Sequence, residues 1–94
     1  MPQTTTLNMT TSWALLTNAN VTEATFQNIG ASPIYVIGTN GVTPPSDGSF
    51  GVLYNPGEGE ARRPLVDMFP GVTDVNRLWS RSSSLPTGVF VSHA

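Results

Sequence analysis

Two glutamates and an arginine, Glu58, Glu60 and Arg62, lie at alternate positions in the segment NPGEGEARRPLVDMFPG, residues 55–71. Alternate residues of an extended chain point to the same side, so this spacing could present two carboxylates and a guanidinium together. Paired carboxylates hydrolyse glycosidic bonds when they flank the substrate. Such enzymes take the two groups from separate elements on either side of a cleft, and a 94-residue domain has little room for one. We therefore expect no catalytic site here and no enzyme.

Two other interpretations of this charged segment stay open. NPGEG is typical of a turn, and neighbouring glutamate and arginine side chains at a surface contribute only about 0–1 kcal/mol. Residues 55–63 would then form a solvated turn. Alternatively the segment contacts a partner through Glu58, Glu60, Arg62 and Arg63.

The apolar part of the segment, PLVDMFPG, predicts a short helical turn. Pro64 fits the first helical position, residues 65–69 would form the interior, and the Pro-Gly pair at residues 70–71 would end it. Four large apolar side chains in such a turn need cover. The turn either caps the open end of a small β core or presents Met68 and Phe69 directly to a partner.

Arg77, Trp79 and Arg81 alternate in VNRLWSRS, which predicts that they share one face of a strand, with Leu78 on the other. Tryptophan and arginine are typical anchors of protein interfaces. The three side chains could also stack on one another within the chain, or stack against a base or a sugar. We expect the first two roles before the third.

Composition excludes several classes of function. Cysteine is absent, so thiol catalysis and cysteine-ligated zinc are excluded, and the single histidine, His93, has no partner for a metal site. We expect His93 to end an edge strand, and we expect no cofactor. Lysine is absent and the formal net charge is −2, which opposes nucleic-acid binding. No apolar run is long enough for a membrane span, so we expect no membrane partner.

The elements that position these residues are short strands. Stretches rich in aromatic and β-branched residues recur about every ten residues between glycine, proline and asparagine, which is typical of a small β-sandwich or barrel. TEATFQN predicts a half-buried strand, with Ala24 and Phe26 on the inner side. PIYVIGT is apolar on both sides, which indicates a central strand or one covered by a second subunit. SWALLT, SFGVLYN, VNRLWSRS and VFVSHA supply further strands.

The first twelve residues, MPQTTTLNMTTS, carry no charge. We expect an extended polar arm at residues 1–12, followed by one β-sandwich domain at residues 13–94. The arm is either a disordered terminus or a strand that adds to a neighbouring subunit, since threonine favours the extended backbone.

The order of the segments VTEATFQNIGASPIYVIGTNG, GVLYNPGEGE, LVDMFPGV and VFVSHA resembles small structural proteins of tailed-bacteriophage virions, which decorate or cement the capsid. The resemblance covers residues 12–94. It implies an all-β fold: a small antiparallel β-sandwich or jelly-roll-like barrel of about six to eight short strands and one short helical turn. It also implies many copies bound to the major capsid protein on the outer surface of the capsid, with trimers of this chain stabilising the head.

The alternative is a receptor- or carbohydrate-binding module of a phage fibre or tail, with Trp79 and Tyr54 as stacking platforms. For the capsid function, the arm from Pro2 to Ser12 and the loop from Asn55 to Arg63 are the expected contact elements. The candidate interface residues are Thr4, Thr5, Thr6, Leu7, Glu58, Glu60, Arg62, Arg63, Met68, Phe69, Arg77, Trp79 and Arg81.

Overall fold

A computed structural model describes residues 2–46 and 51–94. In this part of the chain, eight strands and one short helix follow one another with turns between them. Their bounds are β1 Gln3–Met9, β2 Ala14–Leu15, β3 Glu23–Asn28, β4 Ile34–Thr39, β5 Val52–Tyr54, β6 Gly59–Pro64, α1 Leu65–Met68, β7 Arg77–Ser82 and β8 Thr87–His93.

The strands form two four-stranded antiparallel sheets. The first sheet has the order β1-β8-β3-β6, and the second sheet has the order β2-β7-β4-β5. The pairs β1–β8, β2–β7, β3–β6 and β4–β5 are all present, so the chain is wrapped as one long hairpin whose paired arms alternate between the two sheets. This is the eight-stranded jelly-roll arrangement. It confirms the predicted all-β, jelly-roll-like sandwich.

The core lies between the sheets because alternate residues of each strand point inward. From the first sheet, Phe26, Val89 and Val91 are buried; from the second sheet, Ile34 and Val36 meet them. Each such side chain contributes on the order of 1.5–3 kcal/mol on burial. The predicted alternation of β3 and β4 is confirmed, and β4 is a central strand. β5 falls within the predicted strand SFGVLYN, of which Ser49 and Phe50 lie outside the described residues.

The predicted helical turn is present as α1, and it covers one end of the core. Pro64, predicted as the first helical residue, instead precedes the helix in an extended conformation at the end of β6, and Leu65 is fully buried. The amide of Phe69 donates to the carbonyl of Leu65 at 2.9 Å and closes the turn. A Cβ atom added to Gly38 of β4 would lie 2.7 Å from the ring of Phe69, so the cap and the strand are in close contact.

A buried amide, Asn28, joins the two sheets. Its Nδ2 donates to the carbonyls of Ser32 at 2.8 Å and of Tyr54 at 3.1 Å, while its Oδ1 accepts from the amide of Gly30 at 3.1 Å. The hydroxyl of Thr87 also lies 3.4 Å from Oδ1. Asn28 is 0% exposed, so these bonds replace water at both ends of the amide and fix the turn after β3 against β5.

The N-terminal segment differs from the expected arm. Residues 3–9 form β1, which pairs with β8 of the same chain from Gln3–His93 to Met9–Thr87. Met9 is 2% exposed and belongs to the core, and Leu7 packs against it. Because these two side chains share the inner side of an extended, threonine-rich strand, the segment is part of the sandwich and does not precede it.

The expected position of His93 is also corrected. It ends β8, but β8 lies between β1 and β3 and is not an edge strand. His93 is buried, and its ring nitrogens lie 2.9 Å from Gln3 Oε1 and 2.9 Å from the Ala94 carbonyl. The contact of Nε2 with Gln3 joins the ends of β8 and β1.

Candidate docking surface

The outer side of the second sheet is built mainly from aromatic and aliphatic side chains. The register of β4 and β7 places Tyr35 opposite Arg81 and Ile37 opposite Trp79, and Leu15 of β2 lies on the other side of Trp79. Leu53 of β5 is opposite Tyr35. We call this surface the aromatic face. Its members are Trp13, Leu15, Tyr35, Ile37, Thr39, Leu53, Arg77, Trp79 and Arg81.

Arg81 lies between two aromatic rings on this face. Its guanidinium carbon is 5.1 Å from the ring centroid of Trp13 and 5.3 Å from that of Tyr35. Cation–π contacts of this kind contribute about 0.5–1 kcal/mol each at exposed sites. Because the three groups come from β7, β4 and the residue before β2, the stack ties together three neighbouring segments of the sheet.

Trp79 is anchored within the sheet. It is only 5% exposed, and its Nε1 donates to the hydroxyl of Thr39 at 2.8 Å. The Nε of Arg77 donates to Asn20 Oδ1 at 2.8 Å. The prediction that Arg77, Trp79 and Arg81 share one face is confirmed by the register, and each of the three contacts other residues of the chain.

The expected pair of stacking platforms is not available to a ligand. Tyr54 is 7% exposed and packs edge-on against Phe26, with ring centroids 5.0 Å apart, on the inner side of its sheet. Trp79 lies on the outer side and is covered. Because side chains alternate between the two sides of a sheet, these two rings do not form a shared platform, and this expectation is wrong.

The aromatic face also has parts that remain open. Leu53 is 47% exposed, and Trp13, Tyr35 and Ile37 are half-buried. The indole nitrogen of Trp13 is shielded from water and has no hydrogen-bond partner among the described residues. A buried donor without a partner costs about 1–3 kcal/mol. The face therefore offers an outside partner mainly apolar area.

The two glutamates of the charged segment hold the turn between β5 and β6. Glu58 Oε1 accepts from the amide of Asn55 at 2.7 Å, and Gly57 adopts the positive φ of 90° that the turn needs. Glu60 Oε2 accepts from the hydroxyl of Tyr54 at 3.2 Å. Burial raises the pKa of Tyr54 well above its usual value, and the charge of Glu60 and this hydrogen bond raise it further.

Arg62 occupies a β-bulge in β6, and Arg63 follows it as the partner of Ala24. Arg62 has a φ of 47°, and its amide donates to the hydroxyl of Thr25 at 2.8 Å. Its Nε lies 3.3 Å from Glu23 Oε1, in an ion pair whose arginine side chain is 84% exposed. Arg62 thus pairs across the sheet with Glu23. Glu58 and Glu60, its neighbours in the sequence, accept instead from Asn55 and Tyr54.

The predicted interface residues therefore fall into separate regions. Thr4, Thr5, Thr6 and Leu7 lie on β1 at the edge of the first sheet. The charged residues lie at and beside β6, at its opposite edge, and Met68 and Phe69 pack against the core at its capped end. Arg77, Trp79 and Arg81 lie on the aromatic face. Its other members were not among the predicted interface residues: Trp13, Leu15, Tyr35, Ile37, Thr39 and Leu53.

A sequence signal for the missed residues did exist. PIYVIGT is apolar on both sides, which indicated cover from a second subunit as one alternative.

Comparisons of the chain with family models, with curated proteins and with solved structures found no match. In residues 2–46 and 51–94, no helix has the length and apolar composition to cross a membrane, and no cluster of three or more His, Cys, Asp or Glu side chains could hold a metal ion.

Proposed function

We propose that this protein is a non-catalytic structural component of a virion, of the capsid decoration type, and that it docks through the aromatic face. The observation that supports docking is the apolar outer side of the second sheet, where Ile37 and Leu53 lie beside the stack of Arg81 on Trp13 and Tyr35. The resemblance of the sequence to phage virion proteins supplies the partner, the major capsid protein.

The outer sides of an antiparallel sandwich are ordinarily polar because they face water. A contiguous apolar surface on such a side is typical of a protein interface. Burying apolar area contributes about 25 cal/mol per Å² to binding, and the loss of side-chain conformational entropy offsets part of this free energy. Rings that neighbours already hold in place lose little conformational entropy, so the offset is small. Arg81 keeps Trp13 and Tyr35 in place and thus prepares the surface for docking.

Many copies on one shell would make modest contacts effective. A protein that binds the assembled shell and not its separated subunits stabilises the shell by mass action. If copies associate with one another, each further contact with the shell forms at high effective concentration. Such a function requires no chemical reaction. It requires buried contact area, repeated over many copies on the shell.

The test is binding to heads that lack the protein, with Leu53→Asp as the disrupting variant. Leu53 is 47% exposed at the margin of the aromatic face, so a carboxylate there should leave the fold intact and weaken docking at least tenfold. Gln27→Asp is the matched control, because Gln27 is an exposed residue of a strand in the other sheet. Co-sedimentation with heads measures both.

Equal binding of the two variants would remove the aromatic face from the proposal. The fibre or tail module with a carbohydrate ligand is the alternative, and the half-buried rings of Trp13 and Tyr35 are the sugar-stacking groups the face could offer. Glycan binding that Tyr35→Ala abolishes, without binding to heads, would favour it.

A further inference from the structure

The four sheet edges of the sandwich differ in how they are protected against pairing with another chain. β2 has two residues and β5 has three, which leaves little edge to pair. β6 is interrupted by a bulge at Arg62, carries charged side chains and ends in Pro64. Short edges, bulges, charges and prolines are the usual means of blocking edge-to-edge association. β1 has none of them.

β1 is an open, regular strand. Its seven residues, QTTTLNM, include no charge, proline or glycine, and they pair with β8 without a register shift. In the described part of the chain, no backbone hydrogen bond joins residues 3–9 to any segment other than β8. Since alternate residues of an edge strand direct their N–H and C=O groups away from the sheet, β1 presents a row of unpaired backbone donors and acceptors.

We propose that β1 pairs antiparallel with β1 of a second copy of this chain, so that the two first sheets join into one continuous eight-stranded sheet. The register that uses all seven residues places Thr6 opposite Thr6, Thr5 opposite Leu7 and Thr4 opposite Asn8. It keeps the inward residues of one copy in line with the inward residues of the other, which a shift of one residue would not.

A second copy fits this edge because the pairing is self-complementary. An antiparallel pair of identical strands has a two-fold axis, and the same residues serve both sides. Opposite threonines are favourable cross-strand pairs, and an uncharged strand meets its copy without repulsion. β6 is less suited to such a pairing, since its bulge at Arg62 and its terminal Pro64 interrupt the row of backbone groups that the pairing needs. This contact lies on the first sheet and is independent of docking through the aromatic face.

The test uses charge at the two-fold axis. Thr6 is exposed and points outward, so Thr6→Lys and Thr6→Glu should each fold. Each places like charges directly opposite one another in the pair and should reduce the dimer association constant at least tenfold. Mixing the two variants brings opposite charges together and should restore association as heterodimers. Gln27→Lys, an exposed charge on the same side of the same sheet but away from the edge, should dimerise like the unaltered chain.

Sedimentation equilibrium measures the masses, and a disulfide provides a second measurement. The chain has no cysteine, so Thr6→Cys introduces a single thiol. Opposite residues of an antiparallel pair have Cα atoms about 4.5–5.5 Å apart, within disulfide reach, and Thr6→Cys should cross-link where Gln27→Cys does not. A monomer at all concentrations, a trimer, or a dimer that Thr6→Lys leaves intact would each overturn the proposal.

Discussion

The outer side of the first sheet carries Thr4, Thr6, Thr25, Gln27 and Ser92, together with Phe90 and the exposed Ile29 beside Gly88. We call it the polar face. The outer side of the second sheet carries two tryptophans, a tyrosine and three aliphatic residues around two arginines. Both sheets have four antiparallel strands, and both contribute inward side chains to one core. The difference is therefore confined to residues that the core does not use.

This separation shows where function can reside in so small a fold. Inward positions are constrained by packing, because the interior is close-packed and tolerates few changes of volume. Outward positions are free to match their surroundings, whether water or a partner. The polar face has the chemistry expected for contact with water, whereas the aromatic face has that of a partly hidden surface.

The largest expected difference between the faces is in the stability that Trp79 of the aromatic face and Phe90 of the polar face contribute. Trp79 is 5% exposed and hydrogen-bonded, so Trp79→Ala should lower the free energy of unfolding by about 3 kcal/mol or more. Phe90, half-buried on the polar face, has fewer contacts to lose, and Phe90→Ala should cost about 1–2 kcal/mol. Urea unfolding followed by fluorescence and circular dichroism measures both. Equal losses would mean that the faces are equally integral to the fold.

A smaller difference is expected between two arginines. Arg81→Met keeps an aliphatic stem but removes the charge between Trp13 and Tyr35, which should cost about 1–2 kcal/mol for the two cation–π contacts. Arg62→Met, on the first sheet, removes only an exposed ion pair with Glu23 and should have little effect on stability. Chemical denaturation at low and high salt measures each loss. If Arg62 proved the more important, the Arg81 stack would not be what organises the aromatic face.

Much of the fold could be predicted from period-two patterns. The alternation in TEATFQN, PIYVIGT, VNRLWSRS and VFVSHA indicates which residues point inward, and the structure agrees. β1 could not be recognised in this way, because its outer residues are polar and only Leu7 and Met9 enter or border the core. Its pairing with β8 joins the two ends of the chain, and no local signal reports so distant a contact.

Only part of the aromatic face could be predicted from the sequence. The shared side of Arg77, Trp79 and Arg81 follows from spacing within one strand. Their grouping with Trp13 and Tyr35 depends on the strand order β2-β7-β4, which the sequence pattern does not contain. The sequence pattern does not indicate the hydrogen-bond partner of Glu60 either, since the bond to Tyr54 joins the two sheets.

The smallest expected effect concerns the hydrogen bond between Tyr54 and Glu60. This bond links the two sheets, because Tyr54 belongs to the second sheet and Glu60 to the first. Tyr54→Phe keeps the ring against Phe26 and removes the hydroxyl, so at neutral pH it should cost about 1 kcal/mol. The pKa of Tyr54 is raised in the folded protein, chiefly by burial, so the folded state holds this proton more tightly than the unfolded state does. Stability from this group is fully present below about pH 10, where the unfolded phenol is also protonated, and declines as the pH rises above it.

The decline has a limiting slope of about 1.4 kcal/mol per pH unit, and Tyr54→Phe should lack this contribution. Because the unaltered chain and the variant share every other titrating group, the difference between their stabilities from pH 8 to pH 11 isolates Tyr54. We expect the advantage of the unaltered chain to shrink over the upper part of that range. A constant difference would show that the phenol ionises as easily in the folded as in the unfolded chain, and the Tyr54–Glu60 contact would then not be a buried link between the sheets.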